Sequence, residues 1–246
     1  MVDINSIPHI NEISNNGLYH GTGSKKTATF KERSASRNKI VPSLEDAIRK
    51  TGLKDGMTIS FHHHFRNGDH IVNTVIDKLA EMGYKNLTLA ASSLAAVHSH
   101  LIEHIKNGVI THIETSGMRG ELAEQVSRGL IDCPVVFRSH GGRASAIVSG
   151  QLHIDVAFLG APSCDPYGNA NGYIREDEGG IACGSLGYAV PDAMFADNVI
   201  VITNHLVAYP NAPWAIPEYE VDYVVLTDDI GDPKGIMSGA TRYTKD

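Results

Sequence analysis

Apolar residues along this chain gather in short runs, separated by longer stretches whose apolar positions recur every three or four residues. The runs MTISFHH (57–63), NLTLAA (86–91), VITHIET (109–115), PVVFRS (134–139), HIDVAFLG (153–160), NVIVITN (198–204) and DYVVLTD (222–228) are rich in β-branched and aliphatic residues. Bounded as they are by Gly, Pro, Asn or Asp, they predict buried strands. LEDAIRKTG (44–52) predicts a helix capped by Ser43 and stopped by Gly52. HIVNTVIDKLAEMG (70–83), capped by Asp69, sets apolar side chains at 71, 72, 75, 76 and 79, which is one helical face. AAVHSHLIEHIKNG (95–108) and GELAEQVSRG (120–129) predict two more helices. ASAIVSG (144–150) is too weakly patterned to assign, and 174–193, richer in glycine and acids, reads as a loop or short helix over one edge. Strand, helix, strand in alternation implies right-handed crossovers. The expected fold is α/β, a mostly parallel sheet with helices on both faces.

Residues 1–40 lack this patterning. They are polar, and GTGSKKTATFKERSASRNK carries nearly all of the local positive charge. They are expected to form an extended arm, disordered or wrapped on a partner subunit, ahead of an α/β domain over 41–246.

Composition narrows the function classes. A chain of 246 residues with 42% hydrophobic and 20% charged residues is an ordinary globule with enough length for a full core. A formal charge of -7 argues against nucleic acid. No apolar run approaches the ~18 residues of a membrane span, and MVDINSIPHINEIS lacks the basic start and apolar centre of a secretory signal. Cys133, Cys164 and Cys183 are too few and scattered for a disulfide framework. A cytoplasmic location follows as the expectation. The chain holds no G-x-x-x-x-G-K-[ST], G-x-S-x-G or G-x-G-x-x-G, which weakens nucleotidase, α/β-hydrolase and dinucleotide-dehydrogenase readings.

Candidate chemistry sits where predicted strands end. In His62-His63-His64-Phe65-Arg66-Asn67-Gly68-Asp69 a strand gives way to a helix. Free backbone N–H groups, Arg66 and the imidazoles there suit a carboxylate or phosphate, with Asn67 and Gly68 in the same turn. In Ser139-His140-Gly141-Gly142-Arg143 the two glycines allow close backbone approach to a ligand. Arg143 can fork onto a carboxylate, and His140 can donate a proton. The alternative is a plain turn. Alternation places His112, Glu114 and Ser116 on one strand face, with Gly117 next; Glu114 can orient substrate, accept a proton, or satisfy helix N–H groups. Asp165 and Asn169 fix their loop or touch ligand. Cys164 has no evident activating base. His100-Leu-Ile-Glu-His104 matches H-x-x-E-H, but no third ligand stands out, and no metal is expected.

The most informative stretch is LHIDVAFLGAPSCDPYGNANGY (152–173). Its form, D-V-A, two apolar residues, then Ala161, Asp165 and Gly168-Asn169 with aromatics nearby, resembles the coenzyme A transferase superfamily, and within it the citrate lyase α-subunits. The likeness covers about residues 43–242, the first half of the family's two-domain chain. It implies a NagB/RpiA/CoA transferase-like domain that moves the thiol of an acyl-carrier protein from acetyl to citrate, giving a citryl thioester and acetate. The thiol would belong to a phosphoribosyl-dephospho-CoA group on the carrier, or to an acyl-CoA, so this chain would bind no cofactor of its own. Implied partners are the acyl-carrier (γ) subunit and the citryl-ACP lyase (β) subunit, in an oligomer. Arg66, Arg143, His140 and the glycine amides would suit a tricarboxylate and an oxyanion. The alternatives are half of a short-chain acyl-CoA transferase, or a non-catalytic ligand-binding or assembly module. A missing second half would leave apolar residues of Trp214–Pro217 or Ile236–Met237 exposed.

Overall fold

Period-two alternation within the strands decides how the molecule is layered. Along Val156–Gly160 (β6), Val156 and Phe158 enter one apolar cluster while Ala157 and Leu159 enter another. Along Asn198–Thr203 (β9), Ile200 and Ile202 join the first cluster, Val199 and Val201 the second. A sheet apolar on both faces must be covered on both. The computed structural model describes residues 37–62, 64–174 and 181–237, so the expected arm falls outside them except for its last four residues. Of these, Lys39 is buried, and Ile40 already pairs in the sheet.

The other strands are Ile40–Val41 (β1), Thr58–Phe61 (β2), Leu87–Ala91 (β3), Ile110–Thr115 (β4), Val136–Phe137 (β5), Ser163–Cys164 (β7), Ala170–Asn171 (β8) and Tyr223–Leu226 (β10). Among the described residues, eight of the ten strands form one parallel sheet in the order β1-β10-β9-β6-β2-β3-β4-β5, and β7 and β8 pair as a small antiparallel ribbon. Helices Leu44–Thr51 (α1), Ile71–Glu81 (α2), Leu101–Lys106 (α3) and Gly120–Ser127 (α4) pack on the first face. His140–Val148 (α5) and Val190–Phe195 (α6) pack on the second. From β2 the chain winds outward through β3, β4 and β5, then returns to β6 on the other side of β2. That reversal opens a crevice at the carboxyl ends of β2 and β6, where open α/β sheets bind ligands.

Local signals explain most boundaries. Ser43 Oγ accepts the Asp46 N–H at 3.0 Å, and Gly52 ends α1 at φ 69°. Asp69 Oδ1 accepts the Ile71 N–H at 2.8 Å, starting α2. The expected helix over 95–108 instead splits into a 3-10 segment, Ala96–His100, followed by α3. The cause is His98, whose ring turns into the core. Its Nδ1 accepts the Ala95 N–H at 3.0 Å, which leaves Nε2 to donate to Asp69 Oδ2 at 3.1 Å. The expected strand over 134–139 shrinks to two exposed edge residues. ASAIVSG proves helical, and the two glycines before it form the first turn of α5 rather than a loop. Ser139 caps that turn, its Oγ accepting the Gly142 N–H at 3.0 Å.

Candidate active site

At the crevice, β2 ends at Phe61 and the next residues leave the ladder. The rings of His62 and His64 lie with centroids 5.4 Å apart; His63 is outside the described residues. Both rings, with Arg66 and the segment Cys183–Tyr188, line a cleft of about 500 Å³. Arg66 holds φ 53°, a left-handed conformation uncommon for a side chain of this kind and one that collects at functional sites. Its Nη1 donates to the Cys183 carbonyl at 3.0 Å, so the exposed guanidinium is anchored to the opposite wall. Tyr188, which also lines the cleft, packs at a tilt against His140, centroids 4.7 Å apart. The wall is set by Gly172, whose carbonyl accepts the Cys183 N–H at 2.9 Å. A Cβ on Gly172 would lie 1.7 Å from the Gly184 carbonyl oxygen.

Of the residues lining this cleft, the sequence singled out His62, His64 and Arg66; it missed Cys183–Tyr188 and the supporting Gly172, and His140 reaches the cleft only through Tyr188. The 183–188 segment carries no period; it reaches the cleft only because the chain folds back from the β7–β8 ribbon.

Asn67 does not line this cleft. It is exposed, and its Oδ1 accepts the Val97 N–H at 3.2 Å, tying the turn to the 3-10 segment. Gly68 is a correction. It is buried under the chain's own 231–236 segment: the Asp232 N–H donates to its carbonyl at 2.9 Å, and a Cβ would meet the Gly235 carbonyl carbon at 2.4 Å. Glycine is needed there for protein packing, so no face is left for a ligand.

Arg143 is a second correction. The fork expected to take a substrate carboxylate closes on Asp192, Nη1 to Oδ2 at 2.8 Å and Nη2 to Oδ1 at 2.6 Å, and Nη2 also donates to the Ala90 carbonyl. Ser60 donates to the same carboxylate. Burial opposes the guanidinium charge, but Asp192 more than offsets this and raises the Arg143 pKa. Gly141 is exposed and Gly142 donates its N–H to the Ser139 cap, so these glycines shape a helix start.

Glu114 is half-buried and paired with Arg138, Oε2 to Nη2 at 2.9 Å and to Nε at 3.1 Å. None of the three roles open to Glu114 in sequence involves this arginine. Arg138 carries no local signal, because it follows the neighbouring strand and meets Glu114 only through β4–β5 pairing. Ser116 lies beside it with its hydroxyl buried and unpaired, and the Gly117 carbonyl accepts the Leu94 N–H at 2.8 Å.

Asp165 and Asn169 fix their loop, the first of the two roles open to them, and the ligand role is corrected. Asp165 is fully buried, and Oδ1 accepts the N–H groups of Tyr167, Gly168 and Asn169. Its Oδ2 accepts from Asn169 Nδ2 at 2.8 Å and from the Asn211 N–H at 2.9 Å. The hub locks the loop after β7; its polar atoms face the protein. Cys164 is buried, and burial followed by the neighbouring Asp165 charge pushes its thiol well up. Burial likewise raises Cys183 to about 12, against the opposing pull of Arg66. Neither is a thiolate nucleophile near neutral pH.

A third partner does stand near His100 and His104: Asp77, from α2 rather than from downstream sequence. As for the expected apolar exposure, Trp214 (47%) and Met237 (39%) are open to solvent, while Ile216 and Ile236 are buried. Among the described residues no helix is long and apolar enough to cross a membrane. Chemically, the cleft joins an anchored guanidinium to two imidazoles, side chains that can bind carboxylates.

Residues 37–246 match the family model described as "Citrate lyase, alpha subunit (CitF)". The chain is 55% identical over 230 residues to the citrate lyase alpha chain of Haemophilus influenzae, covering 92% of this chain and 45% of the relative. It is 54% identical over 231 residues to that of Klebsiella pneumoniae, covering 93% and 45%. It thus spans less than half the length of the curated relatives it matches. A Streptococcus mutans crystal structure assigned as a citrate lyase alpha subunit, in complex with citrate, superposes with TM-score 0.79 at 55% identity, over 89% of this chain and 43% of that one. Glutaconate coenzyme A-transferase from Acidaminococcus fermentans shares the fold, with TM-score 0.57 at 15% identity over 80% of this chain and 77% of that one.

Proposed function

The chain belongs to the citrate lyase α-subunit family, and from that premise we propose that its β2–β6 cleft seats citrate for acyl exchange on a carrier thioester. A citrate carboxylate oxygen attacks the acetyl thioester carbonyl, the C–S bond breaks, and a mixed anhydride and a thiolate result. The thiolate then attacks the citryl carbonyl of the anhydride, and acetate leaves. No proton is gained or lost overall. Arg66 neutralises a citrate carboxylate, while His62 and His64 donate hydrogen bonds to the others or to the oxyanion that forms. His140, packed against the cleft residue Tyr188, would contact an incoming thioester. Coarsely, the chain would work within a multi-subunit complex. More finely, the thioester would sit on the phosphoribosyl-dephospho-CoA arm of an acyl-carrier subunit, and a lyase subunit would receive the citryl product.

The observation that carries this reading is the anchored Arg66 beside two imidazoles at the topological switch of the sheet. The test is transfer from acetyl-carrier to citrate by the chain with the C-terminal half of a relative's α chain supplied, read as citryl thioester and acetate by mass spectrometry. Citryl product from the carrier supports the proposal. Transfer only from free acetyl-CoA would assign the acyl-CoA transferase alternative. A citrate-induced rise in melting temperature with no transfer would make the domain a binding module.

A further inference from the structure

Outside the cleft, α2 and the segment leading into α3 are joined by three side chains spaced four residues apart. Asp69 meets His98, Asn73 Nδ2 donates to the Val97 carbonyl at 3.1 Å, and Asp77 meets His100 and His104. The last of these differs from the others. His100 and His104 stand one helical turn apart, and both aim Nε2 at the same oxygen, Asp77 Oδ1, at 2.7 and 2.6 Å. Their rings are edge to face with centroids 5.0 Å apart. Two imidazole nitrogens and a carboxylate oxygen therefore converge on one point from two helices already locked together.

We propose that Asp77, His100 and His104 form a site for a first-row divalent transition ion, Zn²⁺ best matching the donor set. Two nitrogens and one oxygen are the ligands this borderline ion prefers, and a tetrahedral site leaves a fourth position for water. The exposure of His100 and Asp77, 51% and 41% at the side chain, gives that water access, while His104 at 11% supplies a fixed ligand. Bonds of about 2.0–2.1 Å to zinc set neighbouring donors roughly 3.3 Å apart. The two N–O separations must therefore open by about 0.6 Å, which small side-chain rotations supply. On binding, each Nε2 exchanges its hydrogen bond to Asp77 for a metal bond, its proton passing to its own Nδ1 or to solvent. None of the three residues lines the cleft, so the ion would not take part in acyl transfer. It would clamp α2 to α3.

The test uses the full chain after chelator treatment, titrated with zinc chloride by calorimetry and with cobalt chloride by visible absorption. The expected result is one ion per chain, a rise in melting temperature, and cobalt bands of a four-coordinate N/O site. Changes to groups that merely support ligands cost roughly 10–100-fold in metal affinity, so His100→Ala and Asp77→Asn should each weaken zinc at least tenfold. His100 is exposed enough for His100→Ala to fold, and circular dichroism checks that it has. Unchanged zinc affinity in both variants, or no zinc uptake by the parent chain, overturns the proposal.

Discussion

Arg143 and Asp192 meet through two parallel hydrogen bonds, 2.8 and 2.6 Å long, beneath the second face of the sheet, where both side chains are almost wholly buried. Ser60 of β2 and the Ala90 carbonyl of β3 complete their surroundings. The pair joins α5 and α6 to β2 and β3, of which β2 leads into the cleft. Closed on each other, the two groups hold the helices to the sheet and leave no fork for a ligand.

Removing one partner leaves the other charge buried and unpaired, which costs about 3–5 kcal/mol. Asp192→Ala should therefore lower the melting temperature by roughly 6–20 °C in a domain of this size. Arg143→Lys should also destabilise, because lysine keeps the charge and loses the fork. A calorimetric scan that finds Asp192→Ala as stable as the parent would refute the structural role.

Arg66 gives the opposite expectation. Its guanidinium is exposed, so Arg66→Ala should cost little stability yet weaken citrate by about 10- to 150-fold, the value of a charged hydrogen bond of roughly 1.5–3 kcal/mol. Isothermal titration with citrate measures this. Unaltered affinity would remove Arg66 from the proposed site.

Gly172 and Gly141 separate packing from permissiveness. Gly172→Ala drives a methyl group into the Gly184 carbonyl. The expected cost is about 1–3 kcal/mol together with weaker citrate binding, since the Cys183–Tyr188 wall must shift. A methyl group added at Gly141 would meet nothing within 4 Å, and the residue lies in a helix turn. Gly141→Ala should therefore stabilise by up to about 1 kcal/mol. Paired melting curves compare the two.

The thiols set an alkaline limit. Burial raises Cys183 to about 12 in the folded chain, above the unfolded value near 8.5. The resulting stability is present in full below about pH 8.5 and is lost as pH rises through about 12. Thiol titration of the native protein at pH 8 should leave Cys164 and Cys183 unmodified, with half-buried Cys133 the one that reacts. Rapid labelling of Cys183 under native conditions would contradict its placement.

The sequence by itself determined the parallel α/β fold, because strand and helix periods are local and every crossover has one hand. It also determined the start of α1 at Ser43 and singled out the turn from His62 to Arg66, whose His62, His64 and Arg66 line the cleft. Tertiary structure alone decided which polar residues were already spoken for. Arg143 looked like a ligand fork because Asp192, 49 residues away in sequence, is invisible to any local pattern. Gly68 looked like a bare ligand turn because the segment that covers it lies at 231–236. Asp77 is absent from the H-x-x-E-H pattern for the same reason, since it comes from the helix before. A side chain's chemistry is written in its residue type, but its availability depends on partners that only folding brings within hydrogen-bond reach.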